Sequence, residues 1–152
     1  MRLYFLRHGK ADWPDWKKPD DQRPLTKAGR QEMHEVGQFL RRRKVRMDAI
    51  LTSPLPRAQE TADIAAEHLK VICREEKLLA PGFRAQELTQ LLRKHPQQSL
   101  MLVGHEPDFS KVIEVLTGGS VKMAKGGIAL IDYSGRKGRL LWLIPPKLMR
   151  KS

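Results

Sequence analysis

Two histidines stand just past apolar runs: His8 in RLYFLRHGKA (2–11) and His105 in SLMLVGHE (99–106). Arg7 precedes the first of them, Arg57 lies in LTSPLPRAQETA (51–62), and Arg23 heads RPLTKAG (23–29). A neutral imidazole carries a lone pair on one ring nitrogen and a proton on the other, so it can attack an electrophile, move a proton or ligate a metal. A guanidinium stays charged and presents a planar fork of donors that matches phosphate geometry. Taken singly, an arginine at a strand end is usually a solvated charge and a lone histidine is usually structural. Their meaning depends on whether the fold gathers them. A metal site drawn from His8, His105, Asp12, Asp20 and Asp21 is disfavoured, because a cluster rich in arginine repels a cation.

The elements around these residues place them alike. RLYFLR (2–7) is apolar on both alternating faces, as a strand covered on both sides should be. Thr26 can cap a helix running to about Arg42, with Met33, Val36 and Leu40 on one face. AILTS (49–53) reads as a second strand, and Ser53-Pro54 as the N-cap and first-turn proline of a helix carrying Arg57, Thr61, Ile64, Ala65 and Leu69. VICR (71–74) reads as a third strand, with Cys73 a small buried apolar residue. A helix over Ala85–Lys94 buries Leu88, Leu91 and Leu92 and stops before His95-Pro96. After the strand in SLMLVGHE, Phe109, Val112, Ile113 and Leu116 follow at i, i+3, i+4, i+7, an amphipathic helix. GIALIDY (127–133) and RLLWLI (139–144) flank a Ser-Gly-Arg-Lys-Gly turn, a hairpin signal.

Alternating strands and helices predict a single three-layer α/β/α domain over residues 1–152, with a mostly parallel sheet and a C-terminal antiparallel hairpin. In such sheets ligands bind beyond the carboxyl ends of the strands, where His8 and His105 both fall. Arg57, in the first turn of its helix, sits where free N–H groups and the helix dipole favour an anion.

The totals agree with one soluble domain. The chain has 152 residues, 40% hydrophobic, with a net charge of +12. No stretch approaches the roughly 20 apolar residues of a membrane helix, so no membrane partner is expected. The start is too short in apolar residues for a signal-peptide core. With Cys73 as the single cysteine, an intramolecular disulfide and a thiolate zinc site are ruled out. A cytoplasmic location is the simplest expectation. The positive charge favours acidic partners: phosphorylated molecules, nucleic acid or anionic surfaces.

LRHGKA (6–11), RPLTKAG (23–29), LTSPLPRAQETA (51–62) and VGHEPDFS (103–110), in this order along nearly the whole chain, resemble the histidine phosphatase superfamily, with its phosphoglycerate mutase-like fold. The short length and the RPLT segment are most similar to the SixA-type phosphohistidine phosphatases. The resemblance implies that His8 is a nucleophile forming a phosphohistidine intermediate that water hydrolyses. It implies that Arg7, Arg57 and His105 hold the phosphoryl oxygens in the transition state, with Arg23 also at the phosphate. No metal and no cofactor is implied. The nucleophile's second ring nitrogen should donate to a backbone carbonyl, which fixes the tautomer.

Many members of the superfamily carry a general acid after the third strand. Here that region reads EEKLLAPGFRAQEL (75–88), and neither Glu76 nor Glu87 stands in a recognisable version of that motif. The SixA-type group is similar in this respect. Trp13 and Trp16, between RHG and RPLT, pack that loop or close over substrate, and Lys125 reads as a solvated loop lysine near the phosphate region. His34, His68 and His95 read as surface or helix-end residues. A P-loop is excluded, since the glycine pairs at 118–119 and 126–127 lack its spacing.

The expected activity is hydrolysis of protein phosphohistidine, with a small-molecule phosphomonoesterase of the same fold as the alternative. A rival from another class is a nucleic-acid or polyanion-binding module, prompted by the basic runs RRRKVR (41–46) and RKGRLLWLIPPKLMRKS (136–152). Against it stand the lack of interleaved exposed aromatics and of helix-turn-helix or zinc-finger spacing. The sequence leaves the oligomeric state open.

Overall fold

The computed structural model describes residues 1–151. Six strands form one sheet: β1 (Arg2–Arg7), β2 (Ala49–Thr52), β3 (Cys73–Glu75), β4 (Ser99–Gly104), β5 (Ile128–Tyr133) and β6 (Gly138–Ile144), in the spatial order β3-β2-β4-β1-β5-β6. The first four in that order are parallel; β5 runs antiparallel to β1, and β6 antiparallel to β5. Four helices cover it: α1 (Lys27–Arg42), α2 (Pro56–Leu69), α3 (Ala85–Lys94) and α4 (Asp108–Thr117).

The pleat sorts the side chains into two cores. Leu3 and Phe5 of β1, with Leu100 and Leu102 of β4, bury against Leu88 and Leu91 of α3 and Phe109, Val112 and Ile113 of α4. Their neighbours Tyr4, Leu6, Met101 and Val103 point the other way, onto Met33, Val36 and Leu40 of α1 and Ala58, Ala62 and Ala65 of α2. This is the three-layer arrangement expected from strands apolar on both faces. Phe109 meets Phe5 edge-on with ring centroids 5.1 Å apart. Truncating such a side chain to alanine costs roughly 3–5 kcal/mol.

Register does the positioning. β1 pairs with β4 so that Arg7 lies opposite Gly104, which puts His8 beside His105 at the same sheet edge. The amide of His8 donates to the Gly104 carbonyl at 3.0 Å, extending the pairing into the loop.

Three local expectations are corrected. Ser53-Pro54 does not start α2: Leu55 is its N-cap and the second proline, Pro56, takes the first helical position. A proline lacks the N–H that the first turn leaves unpaired, so Pro56 fits there without loss. The third strand lies at 73–75 rather than 71–74, because α2 ends in a left-handed Lys70 (φ 55°) and the next residues are spent turning back. Cys73 is only partly buried, at the sheet edge; desolvation and then Asp63 push its thiol up to about 11.

Candidate active site

His8 follows the last residue of β1, buried with 8% of its surface exposed. Its Nδ1 lies 2.7 Å from the carbonyl oxygen of Gly9. A carbonyl only accepts, so Nδ1 carries the proton and Nε2 keeps its lone pair. Desolvation is the main reason that the pKa of His8 falls from 6.5 to about 3; the Gly9 carbonyl opposes it, while His105, Arg57 and Arg7 add to it. The ring is therefore neutral at physiological pH. Gly9 is held in turn by α2, since its N–H donates to Thr61 Oγ1 at 3.0 Å, and that hydroxyl donates to the Arg57 carbonyl at 2.8 Å.

Facing His8 is His105, one residue past the end of β4, with ring centroids 5.3 Å apart. Its Nε2 is 2.7 Å from Ser53 Oγ, which also accepts the Leu55 N–H at 3.2 Å. Burial, then Arg57, lowers the pKa of His105 to about 4. Arg7 and Arg57 complete the wall, each with its pKa lowered chiefly by burial, although arginine remains charged in proteins. Arg7 donates one N–H to the Met123 carbonyl at 2.9 Å. Arg7 Nε, Arg57 Nε and His105 Nδ1 are all buried with no hydrogen-bond partner among the described residues.

Arg7, His8, Arg23, Arg57 and His105 line one cavity of about 260 Å³. Arg23 reaches it from the loop before α1, donating to the Ala11 carbonyl. Asp20 bridges two of the arginines: its Oδ1 is 2.8 Å from Arg23 Nε and its Oδ2 is 3.6 Å from Arg57 Nη2. Lys125 lines the same cavity, paired with Asp12 at 2.6 Å. Trp13 and Trp16, 6.0 Å apart, are tied by their indole N–H groups to the carbonyls of Pro24 and Pro19 and flank a neighbouring groove rather than the cavity itself.

Neither candidate acid is near. Glu76 is buried and takes the Leu78 N–H, His95 and Lys94; desolvation raises its pKa, but those partners hold it below the usual carboxylate range. Glu87 caps α3 by accepting the Arg84 N–H at 3.0 Å. His95 thus serves Glu76 at the end of α3, whereas His34 and His68 are not simple surface residues: they pair across α1 and α2 at 2.8 Å.

Sequence reasoning missed the residues that hold the site together. Ser53 read as a helix cap, Thr61 as one residue of the helix that carries Arg57 and Asp20 as a member of a disfavoured metal site; only the tertiary packing reveals their partners. Glu106 and Asp108 also line the cavity, both inside the quoted VGHEPDFS segment. Asp108 is taken by Arg84 at 2.6 Å and by the Gly82 N–H, and Glu106 accepts the Ser110 N–H at 2.7 Å.

The same fold is found in known proteins. The structure of the protein histidine phosphatase SixA complexed with tungstate superposes with a TM-score of 0.88 over 99% of this chain and 100% of that one, at 22% identity. The Agrobacterium tumefaciens protein named SixA gives 0.81 over 95% of this chain and 97% of that one, at 25% identity. In sequence, an uncharacterized protein of Picosynechococcus sp. is 39% identical over 137 residues, 84% of this chain and 82% of that protein. Residues 3–81, which hold Arg7, His8, Arg23 and Arg57, match the family model described as histidine phosphatase superfamily (branch 1), and the chain belongs to that superfamily.

Proposed function

We propose that this chain is a single-domain phosphatase that hydrolyses phosphohistidine on proteins through a covalent intermediate on His8. One observation carries the reading: a neutral imidazole with a free Nε2 lines one cavity with Arg7, Arg57 and His105, whose buried Nε atoms and Nδ1 have no hydrogen-bond partner among the described residues. Buried donors are normally paired. A phosphoryl group with three oxygens is a partner of matching charge and geometry. The Asp20 carboxylate spanning Arg23 and Arg57 supports an anion-binding role for these two arginines.

In the first step Nε2 attacks phosphorus, and the substrate's P–N bond breaks as the new P–N bond forms. The leaving imidazole departs neutral when its distal nitrogen is protonated. In the second step water attacks phosphorus, the P–Nε2 bond breaks, its electrons return to His8, and the water protons leave with inorganic phosphate and solvent. Throughout, the Gly9 carbonyl holds the Nδ1 proton. Arg7, Arg57 and His105 stabilise the charge that shifts onto the equatorial oxygens, a role worth about 2.7–4 kcal/mol per donor in other enzymes. Arg23 binds the same group from the loop side.

Substrate class follows from the leaving group. Imidazolium has a pKa of about 6.5, so its release needs little help. An alkoxide is nearly as basic as hydroxide, water having a pKa of about 15.7. Protonating such a leaving group is typically worth ~10²–10⁴-fold. Of the carboxylates lining the cavity, Asp12 and Asp108 are held in ion pairs and Glu106 is engaged by the Ser110 amide. Turnover should therefore rank phosphohistidine first, p-nitrophenyl phosphate second and alkyl phosphates far behind, and Glu106→Gln should keep that ranking. The test is kcat/KM against leaving-group pKa. A flat line reaching alkyl phosphates would sink the phosphohistidine assignment in favour of a small-molecule phosphomonoesterase.

A further inference from the structure

The cavity around His8 shares Arg7 and Lys125 with a second groove of about 590 Å³, bounded by Lys10 and Glu32 on one side and the segment after β6 on the other. Six cationic side chains line this groove against a single carboxylate, Glu32. Glu32 is itself buried, and its Oε2 already serves both Arg150 at 3.1 Å and Lys10 at 3.8 Å. One negative charge shared between two cations leaves the groove positive. Lys122 and Lys147 are exposed there and form no ion pair among the described residues. The floor is apolar, made by Leu143, Pro145 and Pro146.

We propose that this groove receives an acidic, extended segment of the phosphorylated protein, flanking its phosphohistidine; the assignment rests on the phosphatase reading above. Three features favour a polypeptide over another polyanion. The groove adjoins the phosphate cavity, with Arg7 and Lys125 lining both, so a chain bearing phosphohistidine at His8 has a neighbouring surface to run along. The apolar floor between rows of cations suits a strand of alternating acidic and apolar side chains. No aromatic side chain lines it, whereas single-stranded nucleic acid is held by stacking on such rings. Lys122 and Lys147 lie outside the machinery that touches the phosphoryl group, so they set affinity for the segment and not the chemical step.

The test compares two phosphohistidine peptides, one flanked by alternating Glu and Leu and one by Ser, with the wild-type chain and with the Lys122→Glu/Lys147→Glu double variant. The wild type should show a KM lower by on the order of tenfold for the acidic peptide at about 0.1 M salt, two surface charge pairs being worth about that much together. The preference should fade at about 1 M salt, where the Debye length is ~3 Å. The double variant should lose it while hydrolysing p-nitrophenyl phosphate within about twofold of wild type, as expected of charges remote from the reaction. Equal KM values for the two peptides in the wild type, or an unchanged preference in the variant, would overturn the assignment. So would oligo(dT) competing as strongly as the acidic peptide. A fluorescein-labelled, unphosphorylated Glu-Leu peptide separates the two readings. Its binding, lost in the double variant, would uphold the groove even if no phosphorylated substrate turned over, and the phosphatase reading alone would then fall.

Discussion

A histidine can attack phosphorus only with a lone pair aimed at it, and burial among cations keeps His8 unprotonated down to about pH 3. The same burial makes a substitution there informative, since the other neutral imidazole lining the cavity, His105, has its Nε2 engaged with Ser53. His8→Ala should abolish both turnover and the acid-labile, base-stable phosphate trapped on the wild type by rapid alkaline quenching. A mutant within tenfold of wild type would remove His8 from the role. Arg57→Ala should lower kcat by on the order of 10²-fold or more, the usual loss for one transition-state donor. If guanidinium and imidazole groups supply that stabilisation, as proposed, chelator should leave the wild-type rate unchanged; rescue of a chelated enzyme by divalent metal would contradict the proposal.

At the scale of elements, the loop after β1 is held by two helices. Thr61 of α2, fully buried, is the side chain that accepts the Gly9 N–H. Thr61→Val keeps the shape and removes the acceptor, leaving a buried N–H unpaired at a cost of about 1–3 kcal/mol. The Gly9 carbonyl that orients His8 belongs to the next peptide, so kcat should fall as well. Urea melts and steady-state rates measured on the same variant check both; a melt that overlays wild type would show that the bond carries nothing. On the other side, α1 packs so closely that a Cβ at Gly29 would lie 2.2 Å from the Lys10 carbonyl oxygen. That carbonyl accepts the Thr26 N–H at 2.9 Å, at the N-cap of the helix. Alanine normally gains about 1 kcal/mol over glycine inside a helix. Here Gly29→Ala should instead lower the melting temperature, because the atom it strikes is backbone. A stabilised variant would show that the loop moves aside freely.

For the whole molecule, the site imposes a direction on stability against pH. His8 and His105 are buried neutral, with pKa values of about 3 and about 4 in the fold against 6.5 outside it. Between pH 6.5 and those values the unfolded chain binds protons that the native chain refuses. Stability therefore rises with pH across this window and falls on acidification. Asp12, held down by Lys125, and Glu76, held down by the Leu78 amide, Lys94 and His95 against its own desolvation, act in the same sense below the ordinary carboxylate range. The melting temperature should drop steadily from pH 6.5 to 4, and His8→Asn, which removes one titrating ring, should flatten the decline. A wild-type profile level over that range would mean that the histidines are hydrated and protonated.

The gathering of the candidate site residues was legible in the sequence because they are tied to local signals. His8 and His105 each end a doubly apolar strand, and Arg57 stands in a proline-marked first turn, so a parallel sheet had to bring all three to one edge. Helix positions followed from periodicity, and α3 from the apolar spacing before His95-Pro96. What the sequence could not determine were contacts between segments far apart in the chain. Ser53 turned from helix cap to partner of His105 because Pro56, not Pro54, opens α2. Glu76 became a structural carboxylate because β3 and the end of α3 bring Lys94 and His95 onto it. Thr61 on Gly9, Asp20 on Arg57, and the cationic groove between Lys10 and Arg150 arise in the same way. Each joins residues whose spacing along the chain carries no period and no local preference, so only the closing of the tertiary structure could pair them.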